Sequence, residues 1–148
     1  MQIVKVKNHD RLKYKELLLL ADEQMSMIEK YLYRGDMYAF IENEVIGSCI
    51  VTDEGNGNLE IKSLAVSPNY QRHGYGKLIV NFVAQHYQHI GHTLYVGTGA
   101  SPLTLGFYES CGFVYSHTVK NFFVDYYQHP IFEAGVQLVD MIYLKKIL

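Results

Sequence analysis

The stretch from Asn58 to Ile90 constrains this chain more than any other. Asn58–Val66 reads as a strand, Ser67–Gly76 as a basic, glycine-bearing turn, and the following residues as a long helix to about Ile90. Leu78, Ile79, Phe82, Val83, Tyr87 and Ile90 recur there at helical spacing, with Gly91 as the expected stop. The first-turn N–H groups of a helix have no partner within it, and its dipole favours negative charge there. A strand feeding such a turn is suited to phosphate. Two nucleotide motifs nevertheless fail. Gly74 and Gly76 fill the first two positions of the dinucleotide fingerprint GxGxxG, but Ile79 stands at the third. Gly76-Lys77 supplies the GK of a P-loop, yet Gln71 replaces its first glycine and Leu78 its magnesium-binding Ser/Thr.

The rest of the chain is placed around that turn. Gln2–Val6 alternates as a strand, and Asn8 or Asp10 can cap a helix to about Ala21, with Leu12, Leu17 and Leu20 inward. Asp22 can cap a second helix, Glu23–Tyr33, with Met25, Ile28 and Leu32 inward and Gly35 as its stop. Met37–Ile41 and Val45–Thr52 read as a hairpin, and 53–57 as a turn. After the long helix come a strand at His92–Gly97, a short helix from Pro102 to about Cys111, and a strand at Phe113–Thr118. An aromatic-rich insert at Asn121–Gly135 precedes a closing strand, Val136–Lys145. This order predicts one α/β domain over 1–148.

Composition excludes several classes. With a net charge of −2, the chain lacks the basic excess of a nucleic-acid binder. No apolar run approaches the ~20 residues of a membrane span, and MQIVKVKNHD lacks the apolar core of a secretion signal, so the cytoplasm is expected. Cys49 and Cys111 form no CxxC pair and are expected as buried thiols. His86, His89 and His92 have metal-like spacing, but His86 and His89 are read as helix-end imidazoles in the last turn before Gly91, and no metal site is expected. From Asp36 to Glu60 there are six acids and no Lys or Arg; from Ile61 to Val80 there are three bases and no acid. Adjacent cation and anion sites have this pattern, and so do solvated hairpin turns.

Leu64-Ala65-Val66 followed by Gln71-Arg72-His73-Gly74-Tyr75-Gly76 resembles the Q/R-x-x-G-x-G/A motif of the GNAT superfamily of N-acetyltransferases. Leu105-Gly106-Phe107-Tyr108-Glu109-Ser110-Cys111-Gly112-Phe113 is similar to the later "xxYxxxGF" signature of the same family. The order of elements matches along essentially the whole chain. The PIFEAGVQLVDMI segment resembles a small uncharacterised bacterial subgroup. The resemblance implies a mixed sheet of about six to seven strands, splayed between the fourth and fifth, with about four helices.

It also implies acetyl-CoA as cofactor and direct transfer to a primary amine in a ternary complex. A non-catalytic acyl-CoA-binding module is the alternative. Gln71, Arg72, His73, Gly74, Tyr75, Gly76 and Lys77 would hold the pyrophosphate, and Leu64, Ala65 and Val66 the pantetheine arm. Leu105, Phe107 and Tyr108 would contact the cofactor, Tyr108 near its sulfur. Ser101 could contact the cofactor or cap its helix. Tyr108 is the expected acid for the leaving thiolate, or else a core tyrosine. Glu60 is the expected base, or else a surface partner of Lys62. Cys111 is expected to pack rather than react. The family's acceptor pocket corresponds to Ala21–Met27 and Asn121–Gly135, with Asp125, Tyr126 and Glu133 as amine contacts. The partner expected is a small-molecule or peptide amine, with a homodimer possible and neither nucleic acid nor membrane.

Overall fold

Alternation along the central strands decides which helix packs where. In the computed structural model, which describes residues 1–148, β1 (Gln2–Lys5), β2 (Asp36–Glu42) and β3 (Glu44–Gly55) form an antiparallel meander. Tyr38 and Phe40 of β2, with Cys49 and Val51 of β3, face one way; Met37, Ala39 and Ile50 face the other. The first face receives α3 (Tyr75–Tyr87) and α4 (Pro102–Ser110) through Ile79, Val80, Val83 and Tyr108. The second receives α1 (Lys15–Ala21) and α2 (Met25–Ile28) through Leu18 and Ile28. Both of those side chains are completely buried, each contributing roughly 1.5–3 kcal/mol.

The sheet continues through β4 (Asn58–Val66) and β5 (Thr93–Gly99), giving seven strands in the order β1-β2-β3-β4-β5-β9-β6, with β6 at Val114–Val119 and β9 at Met141–Ile147. Only β4 and β5 are parallel. The expected mixed sheet is therefore present. There are five α-helices rather than about four, because the insert contributes α5 (Phe122–Asp125) as well as a separate hairpin, β7 (Ile131–Glu133) and β8 (Val136–Leu138). The predicted closing strand is split between β8 and β9, where Asp140 turns back to accept a hydrogen bond from the Asn121 N–H at 2.9 Å.

Other local expectations are corrected. Asn8–Tyr14 winds as a 3₁₀ helix, whose tighter period moves the buried stripe. Leu12 and Leu20 are exposed, while Leu17, Leu18 and Arg11 are buried. Arg11 is tolerated inside because its guanidinium donates to the carbonyls of Leu32 at 2.6 Å and Val6 at 3.4 Å. The second helix is a single turn followed by looser turns, and Gly35 is required by packing, since a Cβ there would lie 2.1 Å from the Val51 carbonyl oxygen. α3 ends at Tyr87 rather than near Ile90; Leu78 on it and Ile90 beyond it are exposed, and Val80 joins the core. Gly91 lacks a positive φ; it sits against Leu59 instead.

Candidate active site

β4 is where the sheet opens. Its parallel pairing with β5 runs from Asn58–Thr93 to Ile61–Val96 and stops. Opposite β3, Ile61 and Ser63 face Val51 and Ile50, so Lys62 is an extra residue, a β-bulge. Beyond it β4 continues to Val66 and β5 to Gly99 without pairing to each other. The gap holds a cavity of about 350 Å³, lined by Ile61–Leu64 and Val96–Gly99. Tyr108 and Thr104 of α4 line one side; Asp22 and Glu23, between α1 and α2, line another. Phe123, Tyr127, Phe132 and Glu133 of the insert complete the wall.

Tyr108 is 7% exposed and makes edge contacts with Phe107 and Phe113 at centroid distances of 4.9 and 5.5 Å. Its hydroxyl has no protein hydrogen-bond partner. Burial pushes its pKa upward, with smaller contributions from Cys111, Cys49 and Glu133, so the phenol holds its proton. Glu60 lies beside the cavity rather than on its lining. Its Oε2 is 2.9 Å from Lys62 Nζ and accepts a bond from the Tyr143 hydroxyl at 3.4 Å. Burial lifts its carboxyl above the ordinary range, and Lys62 and Tyr143 oppose that rise. Both the expected contact with Lys62 and a perturbed carboxyl are thus present. Burial also raises the Cys111 thiol, and that of Cys49 to about 12; both cysteines are free.

The glycine turn is built at the far end of β4. Gln71 donates from Nε2 to the Val66 carbonyl at 3.0 Å, and Tyr70 donates to Glu44 of the β2–β3 hairpin. Arg72 adopts a φ of 65° and Gly74, the residue preceding α3, a φ of 85°. No side chain caps α3, so its first-turn N–H groups stay available. His73 and Lys77 are exposed and Tyr75 is half-buried beside Tyr70. The two glycines differ in purpose. A Cβ on Gly74 meets nothing within 4 Å, whereas one on Gly76 would lie 3.0 Å from the Phe107 ring. Gly76 therefore lets α3 pack against α4, which joins the turn to the Tyr108 side of the cavity.

Of the remaining expected residues, Leu64 and Glu133 line the cavity, and Glu133 accepts a bond from Thr104 at 2.8 Å. Ala65 is buried, while Val66, Leu105 and Phe107 pack against the core. Ser101 does not cap α4; its hydroxyl is buried without a partner. Asp125 and Tyr126 are corrected: both are exposed outside the cavity, Tyr126 beneath Lys30, because the α5 turn points Phe123 and Tyr127 inward instead. Asp22, expected as a helix cap and within the Ala21–Met27 acceptor segment but not singled out as an amine contact, lines the cavity and accepts bonds from Tyr127 at 2.8 Å and Tyr31 at 3.3 Å. Tyr127 is 105 residues away, so no local signal marks this site.

Comparison with known proteins gives the same organisation. A model of the acetyltransferase (GNAT) domain matches residues 33–115. The chain is 34% identical over 132 residues to the uncharacterized N-acetyltransferase YvbK of Bacillus subtilis (strain 168), covering 87% of this chain and 85% of that protein. A GNAT family acetyltransferase from Elizabethkingia anophelis, solved with acetyl-CoA bound, superposes with a TM-score of 0.92 at 33% identity, covering 99% and 97% of the two chains. A Bacillus subtilis acetyltransferase in complex with CoA gives 0.88 at 30% identity, covering 99% and 98%. The chain belongs to the GNAT acetyltransferase family.

Proposed function

We propose that residues 1–148 work as one domain, a cytoplasmic N-acetyltransferase that takes acetyl from acetyl-CoA and passes it directly to a primary amine. The observation that carries this reading is the opening between β4 and β5. Its free strand edges lie between an uncapped helix N-terminus and the buried phenol of Tyr108. The chain's own groups fit the cofactor: unfilled N–H groups of α3 and the charges of Arg72 and Lys77 for the pyrophosphate, and the open β4 edge at Leu64–Val66 for the amide-bearing arm. The orphaned Ser101 hydroxyl, at the end of β5, lacks the hydrogen bond that a ligand could supply.

Acetyl-CoA supplies an activated thioester. The chain must then take a proton from the acceptor ammonium, orient the freed amine and give a proton to the departing sulfur. Glu60, held by Lys62 and Tyr143 beside the cavity, takes the amine proton through water. Tyr108 gives its phenolic proton to the thiolate as the C–N bond forms and the C–S bond breaks. The second N–H proton leaves the nitrogen for solvent once the C–N bond has formed, and water returns the first proton from Glu60 to the phenol, so the cycle releases one proton and ends with both groups as they began.

Calorimetry with acetyl-CoA and thiol release across an amine panel test this. Wild type is expected to bind and turn over. Gly74→Glu, which places a charged L residue at φ 85° where the phosphate would sit, is expected to weaken binding at least tenfold. Absence of binding at millimolar acetyl-CoA overturns the reading. Binding without turnover of any amine replaces it with a non-catalytic acyl-CoA-binding module.

A further inference from the structure

We propose that the acceptor is a small dicationic amine, held at its non-reacting ammonium by Asp22 while its other end reacts beside Glu133 and Tyr108. This rests on the acetyltransferase reading above and names the substrate class of that site. The cavity is lined by three carboxylates, Asp22, Glu23 and Glu133, and by one base, Lys62. Lys62 is already matched by Glu60 at 2.9 Å. A bound acceptor therefore meets uncompensated negative charge.

The two inner carboxylates occupy different walls. Glu133 is bonded to Thr104 of α4, one turn before Tyr108, and acts on the Tyr108 phenol. Asp22 follows α1, which lies on the opposite face of the sheet from α4. Its Oδ1 accepts from the Tyr127 hydroxyl at 2.8 Å and the Gln24 N–H at 3.4 Å, and its Oδ2 from the Tyr31 hydroxyl at 3.3 Å. Three dipoles thus fix this carboxylate in place, yet no Lys, Arg or His pairs with it anywhere in the chain. Burial raises its pKa in spite of those bonds; a cation is what the arrangement lacks. Ser63, only 3% exposed, also lines the cavity and carries a hydroxyl without a protein partner. Between the acidic walls stand Phe123, Tyr127 and Phe132, apolar surface for a methylene chain and cation-attracting ring faces for its ends. A carboxylate on the acceptor would face repulsion from both walls.

Thiol release from acetyl-CoA, measured with α,ω-diamines of three to six carbons, the matching monoalkylamines and the matching ω-amino acids, tests the assignment. The best diamine is expected to exceed its monoamine at least tenfold in kcat/KM, mainly through KM, and the amino acid by more. Its KM should rise with salt while that of the monoamine stays nearly constant. Asp22→Asn should bring the diamine-to-monoamine ratio towards one. The salt comparison on wild type alone reads the same charge if that variant fails to fold. Equal turnover of monoamines, or preference for amino acids, overturns this proposal and leaves the acetyltransferase reading intact. Acetyl-CoA binding with no amine consumed overturns both.

Discussion

Tyr108→Phe separates chemistry from packing in this fold. The substitution removes one oxygen and keeps the ring that meets Phe107 and Phe113. Because the hydroxyl makes no hydrogen bond to the protein, no buried partner is stranded. Folding stability should therefore change by no more than about 1 kcal/mol in either direction, since Tyr108 lines the cavity and its hydroxyl has no protein partner to lose. For a chain of this length that is a shift of no more than ~3 °C in Tm. Turnover should respond quite differently. A positioned general acid contributes roughly 10²–10⁴-fold, so kcat should fall by at least ~100-fold, or ~2.7 kcal/mol in the barrier. Scanning calorimetry, acetyl-CoA titration and thiol release measure the three quantities on one preparation. Retention of kcat within about threefold would show that the sulfur is protonated by water or another group. A loss of several degrees in Tm would show that Tyr108 is held in the core by an interaction absent from this geometry.

Three further outcomes test the surroundings of the site. Gly76→Val should destabilise by about 2 kcal/mol, because its Cβ would lie 3.0 Å from Phe107; adding Phe107→Ala should recover part of that loss, giving a non-additive cycle in urea denaturation. Arg11→Met should cost about 2–3 kcal/mol by leaving the Leu32 and Val6 carbonyls unpaired, read as a fall of roughly 6–9 °C in Tm. With Glu60 raised by burial, kcat/KM should climb as pH rises through its folded pKa, and Glu60→Gln should flatten that limb. Stability runs the opposite way. A raised carboxyl favours the fold fully below its unfolded pKa, and the benefit is lost as pH rises through the folded value. The wild-type urea midpoint relative to Glu60→Gln should thus fall from about pH 4 upwards.

What the sequence made legible follows from the range of the interactions involved. Asn58–Val66 was readable because its ends are set locally, by the Asn56-Gly57 turn and by Pro68. The turn beyond it was readable because glycines and an uncapped helix start are properties of adjacent residues. The inward positions before α1 were not, because 3₁₀ winding depends on Arg11 finding carbonyls as far away as Leu32. On the acceptor side, both expected segments and Glu133 reach the cavity, but the other inward residues were not readable. Asp125 and Tyr126 had suitable chemistry, but the short α5 decides which residues turn inward, and hydrogen bonds from Gln24 to Tyr126 and from Gln128 to Gln24 fix that helix against a segment a hundred residues earlier.

The bulge at Lys62 explains how one strand serves the core and the cavity at once. Simple alternation would place Glu60, Lys62, Leu64 and Val66 on a single face of β4. The extra residue reverses the alternation, so Ile61 before it and Leu64 and Val66 after it all reach the side of α3 and α4. Glu60 and Ser63, paired with Thr52 and Ile50, turn towards the side of α1. Pairing with β5 ends at Ile61, immediately before the bulge, as expected if the local twist of a bulge carries the strand away from its neighbour. Across the gap, Gly97 and Gly99 let Met141 and Leu138 pack directly against the β5 backbone, since a Cβ on either would collide with those side chains. The opening therefore leaves the two strands unpaired with each other beyond Ile61, while Lys62 at the bend keeps Glu60 within reach of its edge. The inserted residue that breaks the hydrophobic period also separates the strands and sets the carboxylate beside the gap.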